Sequence, residues 1–295
     1  MKHLKQPQIN RICRQMNAGL FSVWRIAKIA KITPRWARKI YARYLENGRP
    51  PVLQKCGRPS LPTPGHLKET VIRQFQELPC SAMQMEQQLI RQGIRLSHNR
   101  IHRVLREAKL AKREPKKSKK RKWVRYERRK ANSLWHADWK LMRDGKWMVL
   151  FEDDATRLIV GWGLFDSATA ENSLQVFAVA VAKWGVPRQL LTDNGSQFCN
   201  THDKRDERHA FHEGVTQAGC EHIFTRPAHP QCNGKLEKLN DTIQKLYRHF
   251  GGDLYAAVAA YNERRLHMSL EWQTPFEVWN QKVAKGLKYE KLTKT

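Results

Sequence analysis

The chain has 295 residues, 40% of them hydrophobic, and its 55 lysines and arginines against 27 aspartates and glutamates leave a formal charge of +28. That charge is too high for an ordinary metabolic enzyme, while 10 Trp and 10 Phe exclude wholesale disorder. No apolar run approaches the roughly 20 residues needed to cross a bilayer, and the amino-terminal MKHLKQPQIN has no apolar signal-peptide core. The excess is local: residues 1–130 carry 34 basic and 7 acidic side chains, residues 131–295 carry 21 and 20. A half built to meet a polyanion therefore precedes a near-neutral half. Nucleic acid is the partner implied, with an anionic membrane surface as the weaker alternative. Cys13, Cys56, Cys80, Cys199, Cys220 and Cys232 contain no Cys-x-x-Cys pair and read as reduced thiols.

Two three-helix patterns are predicted in the basic half. In GLFSVWRIAKIAKITPRWARKIYARYLENG, Ser22 is placed to cap a helix reaching about Ala30, with Val23, Ile26, Ala27 and Ala30 on one face. A tight turn at Lys31-Ile32 follows. Thr33 then caps a second helix that starts on Pro34, where a missing N–H does no harm, and stops at Asn47-Gly48. Arg35, Arg38, Lys39 and Arg43 lie away from the Ile32, Ile40 and Tyr44 contacts. This is the arrangement of a helix-turn-helix unit (1–48) whose second helix enters the major groove of double-stranded DNA. A plain helical domain with solvated charges is the alternative. RPPVLQKCGRPSLP (49–62) holds four prolines and reads as a linker.

A second unit (63–108) is predicted as helices over 65–78 and 82–92, the latter capped by Ser81, and a third from Ser97 to Glu107 with Ile101, Val104 and Leu105 inside. His98, Asn99, Arg100, Arg103 and Arg106 are left outside, a mix suited to bases and phosphates. The run KLAKREPKKSKKRKWVRYERRK (109–130) carries 13 basic and 2 acidic side chains and reads as an extended linker that follows phosphates.

After residue 131 the pattern changes to short strands and then alternating elements. SLWHADWKLM has period 2, with Trp135, Ala137 and Trp139 facing one way and His136, Asp138 and Lys140 the other. KWMVLFED and RLIVGWGLF are two further strands, joined through Asp153 and Asp154 as hairpin-turn residues. A helix over about 170–184, a short buried strand RQLLTDN, a helix near 205–217, a strand at 220–225 and a helix at 234–250 complete a mixed sheet flanked by helices. Residues 281–295 form a basic tail.

Three carboxylates stand out by position. Asp138 sits mid-strand, where a charge needs compensation; Asp193 ends a buried strand; Glu237 lies in a helix between Lys235 and Lys238. If the three converge, a divalent cation with oxygen ligands relieves their repulsion. Taken singly, Asp193 is equally an Asx-turn residue, Glu237 an exposed helical charge and Asp138 a partner of Lys140.

LWHADWK, LLTDNGSQF and RPAHPQCNGKLEKLN resemble the three catalytic blocks of the retroviral-integrase-like DDE transposases of insertion sequences, and AAYNERRLHMSLEWQTPFEVW is similar to the segment that ends that family's core. The resemblance covers about 130–280 and implies an RNase H-like α/β core (131–280) with a mixed five-stranded sheet, preceded by two helix-turn-helix domains. It also implies Asp138, Asp193 and Glu237 as catalytic and metal-binding residues of a two-metal Mg²⁺ or Mn²⁺ site. Lys235 and Lys238 become phosphate contacts. Element ends and target DNA are the implied partners, a homo-oligomer the working form, and the prokaryotic cytoplasm, at the nucleoid, the location. A DNA-binding regulator with an idle core and a plain RNase H-like nuclease are the alternative functions.

The sequence departs from the family pattern in a longer stretch between Asp193 and Glu237, centred on CNTHDKRDERHAFHEG (199–214). Cys232 and Leu266 also stand where other residue types are usual. That insertion carries a rival chemistry: Cys199, His202, His209 and His212, with Cys220 and His222 nearby, are zinc-ligand types, although their spacing fits no standard zinc module and surface histidines are the plainer reading.

Overall fold

A computed structural model describes residues 4–53, 62–111, 127–200, 209–225 and 234–290. Most of the proline-rich linker, residues 112–126 of the basic run, 201–208 of the insertion with His202, the proline-rich turn 226–233 and the last five residues lie outside the described residues. The chain divides into two compact units, Met1–Pro62 and Thr63–Thr295.

The first unit is three helices, α1 (Gln6–Asn17), α2 (Val23–Ala30) and α3 (Pro34–Asn47). Ser22 Oγ accepts from the Arg25 N–H at 3.3 Å and Thr33 Oγ1 from the Trp36 N–H at 3.2 Å, satisfying amides that no helical carbonyl reaches. Lys31 adopts left-handed backbone (φ 56°) to turn α2 into α3. Ile9, Ile12, Cys13, Ile26, Ala27, Ala37 and Ile40 fill the space between the helices.

The second unit opens with α4 (Gly65–Glu77), α5 (Ala82–Arg91) and α6 (His98–Glu107), packed through Val71, Met85, Leu89, Ile101, Val104 and Leu105. Ser81 and Gln84 form a reciprocal capping box on α5. Ser97 occupies the cap position of α6, yet its hydroxyl makes no cap bond; its carbonyl alone opens the helix by accepting from the Ile101 N–H at 3.0 Å.

The sheet that follows contains β1 (Trp135–Leu141), β2 (Trp147–Asp153), β3 (Ile159–Phe165), β4 (Gln189–Thr192) and β5 (Glu221–Phe224) in the order β3-β2-β1-β4-β5. The first three strands form an antiparallel meander, and β4 and β5 add in parallel beyond β1. This is the expected mixed five-stranded sheet. Its strand alternation sorts the two faces. Trp135, Ala137 and Trp139 with Val149 and Phe151 meet Val176, Phe177 and Ala180 of α7 (Ala170–Trp184) and Phe211 and Val215 of α8 (Ala210–Gln217). On the other face Met148 and Leu150 meet Leu236, Leu239, Ile243 and Leu246 of α9 (Gly234–His249). Glycine in β3 lets α7 lie close: a Cβ on Gly161 would come within 3.0 Å of Ala180 Cβ and 3.2 Å of Val176.

After α9 come α10 (Leu254–Ala259), a wide helical turn over Ala260–Arg264, and α11 (Pro275–Ala284). The Asn262 amide pairs with both the N–H and the carbonyl of Ile159, each at 2.9 Å, and fixes this segment to the edge strand. The helical piece α4–α6 is joined to the same body. Leu78 enters the α9-side core, and one side of α5 bonds the residues around 264–277 through Gln84, Gln88 and Arg91. In return Arg265 donates to the Pro79 carbonyl (3.1 Å) and Gln84 Oε1 (3.3 Å).

Candidate active site

Asp138 lies in the middle of β1, on the face that α9 covers. In the parallel pairing of β1 with β4, His136 stands opposite Leu191. Continuing that register by two residues brings Asp193, just past the end of β4, beside Asp138. Burial, and then the charge of Asp193, push the Asp138 carboxyl up to about 6. One side-chain and one backbone donor orient the pair: Asn240 Nδ2 bonds Asp138 Oδ2 at 2.8 Å, and the Gly195 N–H bonds Asp193 Oδ1 at 3.0 Å. The Asx turn expected of Asp193 is therefore present, and it also orients the carboxylate. Asn194 Nδ2 ties the same turn to the Thr225 carbonyl at 3.2 Å.

Glu237 is exposed in the first turn of α9, three residues before Asn240 and so one turn away along the same side of the helix. The structure brings Asp138 and Asp193 together and leaves Glu237 apart. Among the described residues no group of three or more His, Cys, Asp or Glu side chains is arranged around a common metal position. The paired carboxylates of Asp138 and Asp193 are nonetheless the oxygen-donor set that suits Mg²⁺ or Mn²⁺, and their mutual repulsion is the kind a cation relieves.

A second acidic cluster lies at the end of β2. Asp153 and Asp154, expected as hairpin-turn residues, are fully buried. Asp153 accepts from the N–H groups of Asn132 and Thr156 (2.8 and 2.9 Å) and from the Thr156 hydroxyl (2.7 Å). Asp154 accepts from the Arg128 N–H at 2.7 Å and from Lys235 Nζ, meets His136 Nε2 at 3.1 Å, and has Arg157 Nη1 at 3.7 Å. Burial works to raise the Asp154 carboxyl, but the bonds from His136 and Lys235 outweigh it and hold the group well below the usual carboxylate range. Glu152, on the α9 face, is driven up to about 7 by burial, against the pull of Arg157. The sequence signal for this cluster was an acidic pair closing an apolar strand with an arginine three residues on; the partners from β1 and α9 carried no local sign.

Lys235, expected as a phosphate contact, instead bonds Asp154 with its side chain largely buried, whereas Lys238 is exposed. Arg35, Arg38, Lys39 and Arg43 are exposed on α3; Asn99, Arg103 and Arg106 are exposed on α6, with Arg100 half-buried there. His98 turns toward Glu86 at 2.8 Å. In and beside the insertion, Cys199 and Cys220 lie near the carbonyls of Gly195 and Glu221 (3.8 Å each), and His209 bonds the Ser196 carbonyl. His212 and His222 meet through their Nδ1 atoms at 3.0 Å. Of these contacts, the His212–His222 pair joins α8 to β5, and the others stay in or at the edge of the loops beside them.

A half-buried carboxylate pair at the meeting of two parallel strands, in a mixed five-stranded sheet flanked by helices, is the arrangement expected of an RNase H-like core. Residues 128–230 match the integrase core domain family, a span that includes Asp138 and Asp193 and ends before Glu237. Over that span the chain is thus similar to an integrase core domain, in keeping with its mixed five-stranded sheet. It is 29% identical over 161 residues to a putative integrase, ORF3, of Spiroplasma virus SpV1-C74, covering 48% of this chain and 44% of that protein. It is 28% identical over 156 residues to the retrovirus-related Pol polyprotein from transposon TNT 1-94 of Nicotiana tabacum, covering 48% of this chain and 11% of that one. The chain therefore spans less than half the length of these curated relatives. Among solved structures it is similar to the catalytic core domain of BIV integrase, with a TM-score of 0.43, 17% identity, and coverage of 52% of this chain and 98% of that one.

Proposed function

We propose that this protein is a DNA transposase of the DDE type. It binds the ends of a mobile element, breaks a phosphodiester there and joins the freed 3′-hydroxyl to target DNA. The observation that carries this reading is the Asp138–Asp193 pair, held on one side of the sheet, where each charge opposes the other and the bonded donors are neutral amides. Glu237, one turn from the Asn240 that grips Asp138, is the third acid. When bound there, Mg²⁺ or Mn²⁺ would neutralise the carboxylates and stabilise charge on the attacking and leaving oxygens. The chain's own part is orientation: Asn240 and the Gly195 N–H fix one oxygen of each aspartate. Lys238 is exposed beside Glu237 to meet a phosphate, and the basic faces of α3 and α6 hold the duplex. Two ends must be brought together, so assembly of several copies on DNA is part of the proposal.

The test is an oligonucleotide assay with end sequences taken from any inverted repeats found in the DNA on either side of the gene. Joined products that need Mg²⁺ or Mn²⁺ and the correct end sequence support a transposase. Degradation without end preference or joining would favour a plain nuclease. Specific DNA binding with no cleavage, unchanged when all three acids are replaced, would favour a regulator.

A further inference from the structure

Glu237 is bracketed by two ties between α9 and the sheet. Asn240 bonds Asp138 on its carboxyl-terminal side, and two residues before Glu237 the Lys235 ammonium reaches Asp154. Asp154 is placed to act as an anchor. It is fully buried, and it gathers His136 from β1, the Arg128 backbone and Arg157 from the β2–β3 turn as well as Lys235 from α9. These bonds are separate from those that orient Asp138 and Asp193. An ionised side chain held by several donors from separate elements has one geometry, and whatever it bonds inherits that geometry.

We propose that Asp154 is a positioning residue that acts through Lys235. The ion pair pins the first turn of α9 to the β2 end of the sheet and so sets the position from which Glu237, which stands apart from Asp138 and Asp193 in this structure, would join them. The proposal deepens the transposase reading and rests on it for its catalytic consequence; the structural consequence stands by itself. It also gives Lys235 a role distinct from the phosphate contact expected from its neighbourhood. Lys235 lines a cleft of about 570 Å³ together with Glu152, Tyr261, Arg265 and Gln84, so the two roles make different demands on the same side chain.

The experiment compares the full chain with Asp154→Asn, Lys235→Met and Lys235→Arg in two readouts. In hydrogen exchange read by mass spectrometry, Asp154→Asn and Lys235→Met speed exchange across 234–241 by about tenfold or more, since each removes a charge-assisted bond that closes the turn, and Lys235→Arg stays close to wild type. In single-turnover strand transfer the same two variants fall about 100-fold, the penalty of a misplaced reacting group, while DNA affinity changes less than about twofold. The double variant is no slower than the worse single one. Unchanged exchange in Lys235→Met overturns the proposal, and a loss of DNA affinity with normal exchange returns Lys235 to a phosphate contact. Should Asp154→Asn fail to fold, Lys235→Met alone decides. Should the wild-type chain join no DNA, the transposase reading fails and the exchange measurement still tests the anchor.

Discussion

A carboxylate inside a sheet must have its charge offset, and Asp138 and Asp154 meet that demand in opposite ways. Asp154 is surrounded by donors and stays ionised; Asp138 is pushed up to about 6, first by burial and then by the charge of Asp193. The sign of the stability effect follows. Between about pH 4 and 6 the folded state holds a proton on Asp138 that the unfolded chain has released, so the metal-free protein loses stability as pH rises through that window. Asp138→Asn should therefore raise the melting temperature of the metal-free protein at pH 7.5, by the equivalent of about 1–3 kcal/mol, with the gain vanishing near pH 4. The same substitution should abolish stabilisation by added Mn²⁺. Calorimetry with and without chelator reads both, and a lower melting temperature at pH 7.5 would show that burial and Asp193 impose no such penalty on the Asp138 charge. The sequence singled out Asp138 and Asp193 by position, a mid-strand acid and a strand-ending acid, but taken singly each had a plainer reading, and their pairing was implied only by the family resemblance. Asp154 was not so singled out, because its partners His136 and Lys235 lie 18 and 81 residues away and a pair of acids between two strands reads as a turn.

At the scale of elements, caps and periodicity predicted most helices within a residue or two: Ser22, Thr33 and Ser81 start helices with the expected hydroxyl bonds. Strand alternation assigned Trp135, Ala137 and Trp139 to one face and Asp138 to the other, and the two cores lie accordingly. The use of α5 was hidden. Gln84, Gln88 and Arg91 form a polar stripe at helical spacing that reads as a solvated face, yet all three bond the segment around 264–277. Arg265 completes the joint from the other side, and its two acceptors are left without it in Arg265→Ala. That variant should lose about 2–3 kcal/mol in urea unfolding, the scale for bonds from a charged donor. A loss under about 0.5 kcal/mol, the range of an ordinary surface substitution, would mean the joint is not held by this residue.

Across the whole molecule the charge has a division of labour. The basic side chains of α3 and α6 face outward, while the core keeps two carboxylates where, under the proposed function, DNA phosphates would come and a cation would offset the repulsion. Binding to element-end DNA should weaken by ~10³–10⁵ between 50 and 200 mM salt if ~6–10 phosphates are neutralised. Replacing Arg35, Arg38, Lys39 and Arg43 with Gln should lower the slope of log K against log salt by about one for each phosphate that no longer meets a cation. A slope unchanged by all four would remove α3 from the interface. Under the proposed function, Asp138 and Asp193 together support metal-dependent chemistry on DNA. The most direct test is single-turnover strand transfer by Asp193→Asn at saturating Mg²⁺ and DNA. The expected result is a loss of at least about 10²–10³-fold with DNA affinity retained; joining at the wild-type rate would contradict the account.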